Sequence, residues 1–183
     1  DLVLEEALKL IGNYFQNGTL EQVGKGSYPV FLYFLKFLPG PTPCTKKNLD
    51  VCLIVDASLS VGVQNFLRVK SFLVQFIHQF EPETHFSIIT FSGKPQVRCK
   101  FSDSTCQGTD KTHDTIAEIP DRVSWGTYTD KALVAADQIV FTAEGGDRPD
   151  ASNVVVVITD GKTMKGSQPF NVTVPPLRVG SEY

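Results

Sequence analysis

The chain has 183 residues, a formal net charge of −3 and 42% apolar residues. That is enough for one ordinary domain with an appendage and enough apolar material for a core, which excludes general disorder. No Lys/Arg cluster is present to grip phosphates, which excludes a nucleic-acid surface. The longest unbroken apolar run, Val30 to Leu35, reaches Leu38 only across Lys36. It falls far short of the roughly 20 residues that span a bilayer, so no membrane span is expected in this chain.

The first residue is Asp1 and the only methionine is Met164, so the chain reads as a fragment or a processed form. Residues 1–38 are expected to form an N-terminal helical appendage. Leu4, Leu8, Ile11 and Phe15 fall on one face at helical spacing, and Asn17-Gly18 ends that pattern. The second apolar run, Val30–Leu38, is expected to complete a helical pair, packed on itself or on the main domain; a signal-peptide apolar region is the minor alternative. Pro39-Gly-Pro-Thr-Pro43 is a stiff spacer, so residues 39–48 form a linker and residues 49–183 the main domain.

The main domain opens on Asp50–Val55, apolar without alternation, as in a strand buried on both faces. Its far end breaks into Asp56, Ser58 and Ser60, which offer only oxygen donors, the ligands a hard divalent cation takes. Open α/β sheets place ligands at this carboxyl end. A simpler role for Ser60 is to cap the next helix. That helix covers Gln64–Phe80, with Phe66, Val69, Leu73, Phe76, Ile77 and Phe80 inward. His85–Phe91 and Gln96–Phe101 flank Gly93-Lys-Pro95 as an antiparallel hairpin. Helices are then expected over Thr112–Ile119 and from Thr129 to about Phe141. Between them, Trp125-Gly-Thr-Tyr-Thr129 is a third oxygen-bearing loop able to reach the same point. Val154–Ile158 is again a doubly buried strand and again ends in an acid, Asp160. Asp56 and Asp160 should therefore lie side by side, with a cation resolving their repulsion.

Two glycosylation acceptors, Asn17-Gly-Thr19 and Asn171-Val-Thr173, and four cysteines point to a secreted protein. Cys99 and Cys106 are close enough in sequence to close a small loop, whereas Cys52, inside the apolar strand, reads as a buried hydrophobe. No zinc-type Cys/His spacing occurs.

Asp56-Ala-Ser-Leu-Ser60, Gly126-Thr-Tyr-Thr129 and Thr159-Asp-Gly161, in that order, resemble the von Willebrand factor A domain of the extracellular matrilin, collagen and integrin type, with its metal-ion-dependent adhesion site. Val69-Lys-Ser-Phe72, Phe86–Ser92 and Gly146-Asp-Arg-Pro149 extend the likeness, which covers about residues 44–162. It implies a Rossmann-like, doubly wound α/β fold, its sheet mostly parallel with one antiparallel edge strand, and here C-terminally incomplete. It further implies Ser58 and Ser60 as direct ligands, Thr127 as a direct or water-mediated one, and Asp56 and Asp160 acting through water. The cation would be Mg²⁺, or Mn²⁺ or Ca²⁺. The partner would be an extracellular-matrix or cell-surface protein presenting an acidic residue. The chain departs from the pattern at Leu59, often Gly, and at Asp130, commonly Gly. Cys44 stands where the family has a flanking cysteine, and its partner is missing.

Two other functions compete. An enzyme is disfavoured, because no phosphate loop or nucleophile turn is present and His78, His85 and His113 lie away from the acids. A structural component of an extracellular matrix, with incidental calcium binding, is the alternative to adhesion.

Overall fold

A computed structural model describes residues 22–23, 31–37, 48–160 and 163–168, the first two stretches as backbone only. The expected helix over residues 1–15, Asn17, the linker with Cys44, and Asn171 lie outside the described residues.

The apolar run Leu49–Asp56 forms β3, because β-branched and aliphatic side chains suit an extended chain packed on both faces. It sits at the centre of a sheet ordered β1-β2-β6-β3-β4-β5. Here β1 is Gln22–Val23, β2 Phe31–Phe37, β4 His85–Phe91, β5 Pro95–Cys99 and β6 Ser152–Thr159. The core strands β6, β3 and β4 run parallel, and β5 closes one edge antiparallel to β4, as the hairpin pattern predicts.

On the other side, β2 pairs antiparallel with β6 from Phe31↔Thr159 to Phe37↔Asn153, and β1 pairs with β2. This differs from the helical pairing expected for the second apolar run. The run carries aromatic and aliphatic residues on both faces, and such a stretch satisfies its backbone by adding to an open sheet edge as readily as by coiling.

Helices cover both faces. Helix α1, Val63–Ile77, and α2, Thr109–Glu118, supply Phe66, Leu73, Phe76 and Ile116 to the core built on Val51, Leu53 and Val55. Helix α3, Thr129–Ala135, continues as a π-helical turn over Ala136–Val140 and packs Leu133, Ala136 and Val140 on Cys52, Ile54, Val155 and Val157. Alternate side chains of one strand thus enter two different cores, which is why β3 shows no polar alternation.

Cys99 and Cys106 are joined in a disulfide that ties the end of β5 to the approach of α2. Cys52 is buried and unoxidised, and burial pushes its thiol up to about 12. At the amino end of the sheet, Arg148 donates from its backbone N–H and its Nε to the two oxygens of fully buried Asp50, both at 2.9 Å. The pair pins the start of β3 to the turn that leads into β6.

Candidate metal centre

The parallel strands β3 and β6 end in register at the same edge, where the last pair is Val55↔Ile158. The strands close on Asp56 and Thr159, Asp160 follows directly, and all three are buried. Asp56 is 1% exposed, and both its oxygens are engaged: Oδ1 accepts from the Ser58 N–H at 2.9 Å and Oδ2 from the Thr159 hydroxyl at 2.7 Å. Burial raises the Asp56 pKa, hydrogen bonds from Ser58 and Thr159 oppose that, and the charge of Asp160 raises it further. The two acids therefore lie within electrostatic reach of one another, the juxtaposition expected from two doubly buried strands each ending in Asp.

Past Asp56 the chain turns sharply, with Val61 N–H donating to Ser58 O. This turn sets the Ser58 and Ser60 hydroxyls 2.9 Å apart, Ser58 buried and Ser60 exposed. The capping role considered for Ser60 is not seen: Gly62, at φ 75°, is the N-cap of α1, and no side chain caps that helix.

The third loop is held to the first by its backbone. Ser124 N–H donates to Ala57 O, and Leu59 N–H donates to Ser124 O, both at 2.9 Å. Gly126, at φ 98°, lies against Gly93, and a Cβ there would come within 2.7 Å of Gly93 Cα. Only glycine allows both the positive φ and that approach. Tyr128 N–H then donates to Ser92 O at 3.1 Å, fixing the loop between its two threonines. Thr127 is buried, and so is the hydroxyl of Thr129, which has no hydrogen-bond partner among the described residues.

After Asp160 the segment 163–168 returns across this loop. Met164 N–H donates to Thr127 O, the Ser167 hydroxyl to Asp130 Oδ1 and Gln168 N–H to Asp130 Oδ2. Partial burial pushes the Asp130 carboxyl up, but the bonds from Gln168, Ser167 and Lys131 outweigh it and hold it below its ordinary value. Asp130, singled out in the sequence as an extra charge, is thus the anchor of the returning chain.

The donors at this edge are hydroxyls and carboxylates, one buried hydroxyl is unpartnered, and two acids share the space. That set fits a hard divalent cation. Among the described residues no three His, Cys, Asp or Glu cluster as a metal site. Thr159 and Thr129 carry no signal of their own in the sequence: Thr159 stands beside an acid at a strand end, and Thr129 lies inside an oxygen-bearing loop.

A doubly wound sheet with oxygen donors gathered at the carboxyl ends of two central strands has the architecture of the open α/β domains that place ligands at that edge. The profile of the von Willebrand factor type A domain matches residues 50–175, and the chain belongs to that family. It is similar to integrin alpha-X of Homo sapiens, 29% identical over 80% of this chain and 13% of the relative. It is also similar to matrilin-1 of Gallus gallus, 32% identical over 71% of this chain and 27% of the relative. The chain thus spans a small part of the length of these relatives. Among solved structures, proximal thread matrix protein 1 from the mussel byssus shares the fold, with TM-score 0.65 and 21% identity over 73% of this chain and 36% of the other. A second form of that protein, TM-score 0.61 and 19% identity over 73% of this chain and 36% of the other, has zinc in its MIDAS motif, the metal-ion-dependent adhesion site.

Proposed function

We propose that this chain is a divalent-cation-dependent protein-binding module of an extracellular-matrix or cell-surface protein, gripping an acidic residue of its partner through the bound cation. The observation that carries this reading is the Ser58–Ser60 hydroxyl pair beside an Asp56 whose two oxygens are already taken by Ser58 and Thr159. Neutral hydroxyls of Ser58 and Ser60 are then the direct ligands, Thr127 is a direct or water-mediated one, and Asp56 and Asp160 act through water. Mg²⁺ suits such a donor set, with Mn²⁺ or Ca²⁺ as substitutes. A cation so held stays electrophilic and favours a carboxylate from outside as its last ligand.

The setting is extracellular, as for the integrin and matrilin relatives. Asn17 and Asn171 are proposed glycan acceptors in that setting. A binding role is preferred to an enzymatic one. His85 lies at the amino end of β4, and His78 packs edge-on against His113, 5.9 Å between centroids, so none of the three is placed as a general base at the carboxyl edge. Leu59, Val63 and Trp125 are exposed apolar side chains at or beside the site loops, Leu59 at 57% and Trp125 at 68%. They form a rim suited to an apolar residue next to the partner's acid.

The test is solid-phase binding of the full chain to immobilised matrix proteins in Mg²⁺, in chelator and with Asp56→Ala. Binding is expected to require the cation and Asp56. Binding that survives both chelator and the substitution would contradict the adhesive reading and favour a structural matrix component.

A further inference from the structure

A second recess opens on the same edge of the sheet, between the β4–β5 hairpin and the loop that follows α2. It is a cleft of about 400 Å³ that reaches Ala57 and Ser124. Lys94, Arg98 and Arg122 line it, and no acidic side chain does among the described residues. In a chain of net charge −3 this is a local reversal of sign. The sequence disperses these cations over a hairpin turn, a strand and a loop, so no basic run announces them. Arg98 is oriented by neutral acceptors alone: its Nε donates to Thr90 Oγ1 at 2.8 Å and a terminal nitrogen donates to Gln96 Oε1. Burial, and then the charge of Arg122, lower the Arg98 pKa. The nearest acid in sequence, Asp121, is engaged by Lys70 at 2.6 Å.

Guanidinium groups that crowd one another without an intervening carboxylate gain most from an anion that both can reach. We propose that this cleft binds a sulfate ester on an extracellular glycan, with Arg98, Arg122 and Lys94 taking the sulfate oxygens. The hydroxyls of Ser92 and Ser124 and the amide of Gln96 then face the sugar. Two considerations favour this ligand over the side chain of an acidic peptide. Arginine forks bind carboxylates and tetrahedral oxyanions alike in bidentate fashion, and a carboxylate and a sulfate ester each carry one charge, but the ester offers three terminal oxygens, one for each cation. The volume lies in the range of roughly 300–1,000 Å³ that takes small-molecule ligands, and hydroxyl and amide groups suit sugar recognition. The cleft shares Ala57 with the Asp56–Ser60 loop but none of the proposed cation ligands, so the two sites stand or fall separately.

The experiment is calorimetric titration of the full chain, in chelator, with a heparin-derived hexasaccharide. The comparison ligands are its desulfated counterpart and an Asp/Glu-rich hexapeptide. Lys94→Glu and Arg122→Glu are the first variants, because both side chains are exposed and neither makes a side-chain hydrogen bond or ion pair among the described residues; circular dichroism checks the fold. The sulfated sugar is expected to bind, to weaken at least about tenfold with either substitution, and to weaken steeply as salt rises. No binding, equal binding of the desulfated sugar, preference for the acidic peptide, or unchanged affinity in both variants would each overturn the proposal.

Discussion

Thr159 donates its hydroxyl to Asp56 and fixes which way that carboxylate faces. Groups that orient metal-site residues in this way typically cost 10–100-fold in metal affinity when removed. Thr159→Val keeps the shape and removes the donor, so Mg²⁺ affinity should fall by roughly 10–100-fold, measured by titration, and stability should drop by about 1–3 kcal/mol as a buried acceptor loses its partner. At the other end of the sheet the consequence of one substitution is the reverse. Arg148 covers a fully buried Asp50 with a charged contact of 2.7 Å. Arg148→Ala leaves that carboxylate uncompensated, and denaturant unfolding should show a loss of about 3–5 kcal/mol. Neither contact could be read from the sequence, since the partners lie about a hundred residues apart and a lone Thr or Arg carries no periodicity.

At the scale of elements, the strands most informative in the sequence were β3 and β6. Both are apolar on both faces, both end in Asp, and the parallel register brings those ends together. The hairpin, α1 and α2 follow their patterns to within a few residues. The π-helical turn at the end of α3 was hidden: α-helical spacing over Ala132, Leu133, Ala136 and Val140 also places Ile139 inward, whereas the wider turn buries Val140 and leaves Ile139 46% exposed. The returning segment was hidden too, because the polar stretch from Met164 to Gln168 is held by single hydrogen bonds rather than by a buried face. Its hold on Asp130 makes a pH prediction. The folded pKa of Asp130 lies below its unfolded value of 3.8, so the clamp contributes fully above that value and is lost as pH falls through the depressed folded one. Amide exchange at Gln168 should therefore accelerate on acidification below pH 3.8, beyond the intrinsic trend, and Asp130→Asn should abolish that extra step.

For the whole molecule, folding sets two sheet ends to different tasks. The amino end is closed by the Asp50–Arg148 pair, and the carboxyl end gathers oxygen donors from three loops with exposed apolar side chains beside them. The fold class and the set of candidate ligands were legible because buried strands and short oxygen-rich loops leave strong local signals. The antiparallel addition of β2 to β6 was not, since a seven-residue stretch that is apolar but for Lys36 fits a strand or two turns of helix equally well. The central claim is that Ser58, Ser60, Thr127, Asp56 and Asp160 together hold a divalent cation. Its most direct test is calorimetric titration of Mg²⁺ into the full chain and into Ser58→Ala. One site per chain, with affinity lost in the variant, is the predicted result; no saturable binding, or binding unchanged by Ser58→Ala, would contradict it.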